Sequence, residues 1–157
     1  MSRSIDRVVA AGAELGVAVA PRRFPEGTKT AQDAARAIGC DVAQIVKSLV
    51  FVADGSPFLA LTSGPNRADE RRLAELVGVE AVRKADAEEA RAATGFGIGG
   101  TPPFGHPRKL RVLVDRDLLG HDEVWAAAGT PDSVFPLTPE DLVRASGGQP
   151  ADFAQAR

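Results

Sequence analysis

Five glycines and three prolines fall within thirteen residues, Gly95-Phe96-Gly97-Ile98-Gly99-Gly100-Thr101-Pro102-Pro103-Phe104-Gly105-His106-Pro107. Glycine opens backbone angles closed to other residues, and proline fixes φ and removes an N–H. A loop that combines them is shaped, and its bare glycines let a ligand come close to backbone N–H donors. It reads as a cradle for an atom that accepts hydrogen bonds, or else as a plain connector between elements. The second chemical feature is Lys47, which interrupts the apolar run Ile45-Val-Lys-Ser-Leu-Val-Phe-Val-Ala53. An unpaired buried ammonium is costly. Lys47 therefore either snorkels to a rim or faces a cleft as a cation awaiting an anion. Ser48 follows it and points to the opposite face by strand alternation. His106, Asp115 and Cys40 are the remaining reactive types near these stretches. His106 reads as a base or as an ordinary surface histidine, and Asp115 as a catalytic carboxylate or as the start of a turn, while Cys40 lacks a partner histidine nearby in sequence.

Other chemistries are excluded by spacing. Gly95-x-Gly97-x-Gly99 has the wrong interval for a dinucleotide fingerprint, and no P-loop lysine or Gly-x-Ser-x-Gly elbow is present. Cys40, His106 and His121 are too scattered for a zinc site, so neither metal nor other cofactor is expected. One cysteine cannot form a disulfide within the chain. There is no signal-peptide pattern and no apolar run of membrane-spanning length. A formal net charge of −2 and the lack of a basic recognition helix argue against DNA binding, though a local basic patch remains compatible with it. The expectation is a cytoplasmic protein whose 157 residues form one domain.

These residues need elements to hold them. Apolar spacing predicts helices over Ser4–Leu15, Thr28–Ile38, Asp69–Val77 and Asp86–Thr94. A last helix is opened by Thr138 as N-cap with Pro139 behind it, and ends near Gly147. Strands are expected at Val17–Phe24, Ile45–Ala53, Phe58–Ser63, Val79–Arg83, Leu110–Asp115, Glu123–Ala128 and Ser133–Leu137. Ile45–Ala53 is the central one, because its apolar run is nearly continuous and rich in β-branched residues. The tail Gln149–Arg157 reads as a weakly held extra turn. The order of elements is not a regular βα alternation. It predicts an α+β domain with a mixed, strongly curved sheet surrounded by helices.

Four stretches in this order resemble one family: Thr30-Ala-Gln-Asp-Ala-Ala-Arg-Ala-Ile-Gly39, Gln44-Ile-Val-Lys-Ser-Leu-Val-Phe51, Thr94-Gly-Phe-Gly-Ile-Gly-Gly-Thr-Pro-Pro-Phe-Gly105 and Val112-Leu-Val-Asp115. The chain, from about Thr28 to Leu142, is similar to the YbaK/EbsC aminoacyl-tRNA deacylases. These are related to the editing insertion of bacterial prolyl-tRNA synthetases and to ProX-type free-standing editing proteins. The resemblance implies that fold over residues 1–157. It also implies hydrolysis of the ester between a wrong amino acid and the 3′ acceptor end of a tRNA, usually tRNA-Pro, with prolyl-tRNA synthetase as a candidate partner. The family's Gly-x-x-x-Pro motif falls on Gly99-Gly100-Thr101-Pro102-Pro103, and its strand lysine on Lys47. Gly99, Gly100, Thr101, Pro103 and Lys47 are thus the expected catalytic set. Phe24, Val46, Ser48, Ala127 and Val134 are the expected substrate contacts. The cysteine-specific branch carries a serine and an aspartate where this chain has Ala127 and Val134, so a small uncharged amino acid such as alanine or 2-aminobutyrate is expected. The alternative is a module of the same fold that binds an aminoacyl-adenosine or small metabolite without hydrolysing it.

Overall fold

A computed structural model describes residues 3–28 and 30–156. Lys29 and Arg157, within the expected second helix and tail, lie outside the described residues. Helix α1 (Arg3–Glu14) turns its buried stripe, Ile5, Val8 and Gly12, onto the core. A two-residue strand β1 (Arg22–Arg23) is all that forms within the expected strand Val17–Phe24, where Pro21 removes a ladder donor. Helix α2 (Ala31–Ile38) is capped by Thr30, whose side chain accepts from the Asp33 N–H. A single 3-10 turn, Val42–Gln44, then feeds strand β2 (Val46–Ala53).

β2 and β3 (Ser56–Ser63) form a hairpin closed by Asp54 and Gly55, both at positive φ, as a two-residue type I′ turn requires. β3 therefore begins at Ser56, two residues before the expected Phe58. Helix α3 (Glu70–Val77), β4 (Val82–Lys84), α4 (Ala87–Thr94), β5 (Arg111–Asp115), β6 (Val124–Ala127), β7 (Ser133–Leu137) and α5 (Pro139–Ser146) follow close to their expected positions. The tail departs from expectation. Gln149–Ala151 is a strand, β8, parallel to β5, and the Phe153 side chain is fully buried. Aromatic burial, which the polar look of the segment conceals, pins this end.

The strands divide between two sheets. The larger is mixed, in the order β4-β2-β3-β5-β8, and the smaller is antiparallel, β1-β7-β6. One bridge, Ile45 to Trp125, links them. Alternation along β2 sends Val46, Val50 and Val52 into a core shared with the small sheet, α1, α4 and the Phe96 and Phe104 rings. Phe51 goes to the opposite face with Phe58, Leu73, Leu113 and Phe153. A third cluster packs α2 (Ala34, Ala35) on Ile45, Trp125 and Val134.

Candidate active site

β2 is central, but its outer edge is not fully paired. β4 covers only Phe51–Ala53, and among the described residues the bridge from β6 falls at Ile45, just before β2 begins. Between these points Val46–Val50 lie along a gap, and that gap is the floor of a cavity of about 560 Å3. The two-residue turn makes Ala53–Ser56 a hydrogen-bonded pair, so Leu49 and Lys47 bond to β3. The main-chain groups of Val46, Ser48 and Val50 point outward to the gap. In agreement, the Val50 carbonyl accepts from the Ala85 N–H, 2.9 Å away. The Ser48 N–H and C=O are therefore presented to the cavity. Ser48 lines the same space, and its buried hydroxyl has no hydrogen-bond partner among the described residues. A buried hydroxyl calls for a polar partner.

The Gly/Pro loop forms the opposing wall through Ile98, Gly99 and Thr101. Gly99 stands at φ +86, the left-handed region. The Gly100 Cα leans on the β6–β7 turn so closely that a Cβ there would stand 2.9 Å from the Gly129 oxygen and from the Thr130 Cα. The Gly100 N–H donates to the Gly97 carbonyl (3.1 Å), and the Thr101 hydroxyl donates to the same oxygen (3.2 Å). Among the described residues no hydrogen bond uses the amide of Gly99 or of Thr101. The loop thus spends one amide on its own shape and leaves unbonded, among the described residues, the amides of two residues that line the cavity. His106 braces the far side. Its Nε2 is 2.8 Å from the Pro102 carbonyl, which can only accept, so Nε2 carries the proton. Burial pushes the His106 pKa down, and this hydrogen bond partly opposes that.

Lys47 reaches the cavity from β2 and donates to the Asn66 carbonyl at 2.6 Å. Its pKa is lowered by burial, then by the like charges of Lys84 and Arg67, with Asp115 opposing. Asn66 is 3% exposed and held in turn by carboxylates. Its Nδ2 donates to Asp115 Oδ2 (2.9 Å) and Asp117 Oδ2 (2.7 Å). Asp115 also accepts from the Ser63 and Asp117 N–H groups, which accounts for its burial at the end of β5. It begins a turn, as aspartates at strand ends do, and it anchors Asn66 as well.

Of the ten expected site residues, Lys47, Val46, Ser48, Gly99, Thr101, Ala127 and Val134 line this one cavity. Gly100 and Pro103 are buried behind the loop and do not line it. Phe24 is packed on the Trp125 and Val134 cluster from outside, with the Arg22 guanidinium 5.2 Å from its ring centre. Cys40, His106 and Asp115 are not on the cavity wall. Asn66, Arg67 and Lys84 also line the cavity and are not among the expected site residues. Asn66 lies in Gly64-Pro65-Asn66-Arg67, which carries only a turn signal. No local pattern marks the other two. Asp, Glu, His and Cys are all absent from the described residues lining the cavity, and its charged members are Lys47, Arg67 and Lys84. Its other end is apolar, walled by Ile45, Trp125, Ala127 and Val134. Among the described residues no three His, Cys, Asp or Glu side chains gather as a metal site would need, and no helix is long and apolar enough to cross a membrane.

A cationic, acid-free cavity with two available loop amides and an open strand edge suits an acyl ester on a polyanion. The comparisons agree on the class. Residues 25–145 match the model of the aminoacyl-tRNA editing domain, and the chain belongs to that family. A solved protein described as a proposed trans-editing enzyme for prolyl tRNA synthetase superposes with a TM-score of 0.94 at 45% identity, over 99% of each chain. The uncharacterized protein YwhH of Bacillus subtilis is 32% identical over 120 residues, 76% of either chain. The proline--tRNA ligase of Nitratidesulfovibrio vulgaris is 34% identical over 99 residues, which are 63% of this chain but 17% of that enzyme. The chain therefore corresponds to a small part of the synthetases it matches.

Proposed function

We propose that this chain, with residues 1–157 acting as one editing domain, hydrolyses in trans the ester of a mischarged tRNA, tRNA-Pro carrying a small uncharged amino acid. The observation that carries the reading is the pairing of available Gly99 and Thr101 amides with a cationic cavity that holds no acid. Attack of water on the ester carbonyl builds a tetrahedral oxyanion. Preorganised N–H donors at that oxygen favour the transition state over the ground state, each by about 3 kcal/mol. Collapse of the intermediate breaks the C–O bond to the terminal ribose and releases the amino acid and the tRNA.

The roles divide along the cavity. Gly99 and Thr101 face the carbonyl. The Ser48 carbonyl and hydroxyl suit the α-ammonium group or a ribose hydroxyl. Lys47 takes a phosphate near the terminal adenosine. Val46, Ala127, Val134 and Trp125 receive the amino-acid side chain, and their apolar surface favours alanine or 2-aminobutyrate over charged residues. Gly100, Pro103 and Phe24 act from behind, by holding the loop and the apolar wall in place. With no carboxylate or imidazole on the wall, proton transfer falls to water and to the hydroxyl groups of the ribose. An activated ester tolerates this better than an amide would.

The test is deacylation by the purified protein of tRNA-Pro charged with Ala, Cys, Ser, Thr or 2-aminobutyrate, with prolyl-tRNA synthetase present and absent. Fastest turnover of alanyl or 2-aminobutyryl tRNA is expected. Tight binding of the aminoacyl ends with no turnover of any would replace the hydrolase by the binding module.

A further inference from the structure

Arg67 and Lys84 line the same cavity as Lys47. They come from different elements. Lys84 ends β4 directly opposite Phe51, so it lies on the same face of the sheet as Phe51 and Lys47. Arg67 follows Asn66, whose carbonyl holds the Lys47 ammonium. Three segments distant in sequence thus bring three cations to one cavity. Lys47 is half-buried, while Arg67 and Lys84 are exposed at its rim.

Their neighbours behave differently. Arg83, pointing to the other face, is paired with Glu89 at 2.6 Å, and Arg72 is paired with Asp69 at 3.8 Å. Among the described residues the side chains of Arg67 and Lys84 have no carboxylate partner, and no acid lines the cavity to balance them. The whole chain has a formal net charge of −2, so this local excess of positive charge is segregated, not a reflection of composition. Three like charges around one concave space repel one another, and the lowered Lys47 pKa reflects part of that repulsion. An anion at the rim relieves it. Arg67 brings a planar fork that matches phosphate oxygens, whereas Lys84 acts as a point charge.

We infer that Arg67 and Lys84, together with Lys47, form a phosphodiester subsite that grips the single-stranded 3′ end of RNA at the cavity rim, leaving the apolar end for the group that the terminal nucleotide carries. The inference rests on the editing reading for the identity of the nucleic acid, and not on hydrolysis. It also fixes polarity: the chain of phosphates enters from the β4 side, and the acylated end points toward Trp125 and the small sheet.

The probe is the unacylated trinucleotide CCA, titrated against wild type, Arg67→Ala, Lys84→Ala and the double variant over a series of salt concentrations. Arg116→Ala, which removes an exposed arginine that is paired with Asp152 at 3.4 Å and does not line the cavity, is the charge-matched control. The expected result is a loss of affinity of several-fold for each single variant and at least tenfold for the double variant. The dependence of log affinity on log salt should become shallower with each cation removed. The control should bind as wild type does. A double variant that keeps wild-type affinity and slope, or a control that loses as much, overturns the inference. So does inorganic phosphate competing as strongly as the trinucleotide itself binds, because the site would then hold any free oxyanion. Deacylation is a separate readout. If CCA binding depends on Arg67 and Lys84 but no aminoacyl-tRNA is hydrolysed, the hydrolase reading fails and the subsite stands.

Discussion

The Lys47 ammonium donates to the Asn66 main-chain carbonyl at 2.6 Å, and the Asn66 side chain is itself held by Asp115 and Asp117. The cation on the cavity wall is therefore aimed through an asparagine that bonds a lysine with its backbone and two carboxylates with its amide. Replacing Asn66 by Asp keeps the shape but sets three carboxylates against one another in a buried place. The expected cost is on the order of 3 kcal/mol. Urea unfolding of Asn66→Asp beside wild type at pH 7 measures this, and an unchanged midpoint would mean that the cluster does not hold Asn66. Asn66→Ala, which retains the carbonyl, is expected to raise KM for aminoacyl-tRNA more than it lowers kcat, because it loosens Lys47 without removing it.

Lys47 itself should leave two opposite pH signatures. Its folded pKa lies below the ordinary 10.5. Between the two values the unfolded chain binds more protons, so the stability contributed at this position rises with pH across that window. Anion binding moves the other way, because the cation is lost on deprotonation. The urea midpoint of wild type minus that of Lys47→Met, followed from pH 7.5 to 10.5, should climb. A flat or falling difference would refute the desolvation of Lys47. Over the same range wild-type affinity for CCA should fall, while that of Lys47→Arg, which stays charged, should hold.

How far the sequence discloses this site depends on whether each contact is local. Lys47 is visible because a charge in the β-branched run Ile45–Ala53 contradicts its surroundings. The Gly99–Pro103 loop is visible because its composition permits no regular element. Most helix boundaries are legible for the same reason: Thr30, Asp69, Asp86 and Thr138 cap locally. The Asn66–Asp115 contact joins residues 49 apart. Nothing in either neighbourhood announces the other. Lys84 reaches the cavity only because β4 pairs with β2 in a given register, and a one-residue slip would turn it to the opposite face. The division into two sheets was hidden likewise. It is the incomplete coverage of β2 by β4 and β6 that opens the cavity, and pairing partners are not encoded in a single strand.

The two adjacent loop glycines should respond differently to alanine. At Gly99 an added Cβ meets only Pro131, 3.6 Å away, so the cost is the left-handed conformation, about 1–2 kcal/mol. At Gly100 the Cβ would lie 2.9 Å from the Gly129 oxygen and the Thr130 Cα, which are backbone and cannot swing aside. The loop must then lift from the β6–β7 turn, and the Gly99 and Thr101 amides move with it. Gly100→Ala is expected to lower kcat for deacylation by at least tenfold with a smaller change in KM, although Gly100 does not line the cavity. Gly99→Ala is expected to keep its fold with a modest loss of thermal stability. If Gly100→Ala turns over substrate as wild type does, the amides at this loop are not the oxyanion donors.

His106 offers a test of the loop from its other end. The ring is largely buried and neutral, with Nε2–H given to the Pro102 carbonyl. Burial sets its folded pKa below 6.5, so between that value and 6.5 the unfolded chain binds the additional proton. Stability from this position is present above pH 6.5 and is lost as pH falls through the window. His106→Gln can still donate to Pro102 but does not titrate, so its unfolding midpoint should decline less than wild type between pH 7.5 and 5. His106→Ala lacks the donor and should be destabilised at both ends of the range, by about 1 kcal/mol from the lost hydrogen bond plus the cost of the vacated volume. Deacylation separates the brace from a base. A bracing His106 leaves the pH–rate profile of His106→Gln parallel to that of wild type above pH 7, whereas loss of an ionisation from that profile would make His106 a proton-transfer group despite its absence from the cavity wall.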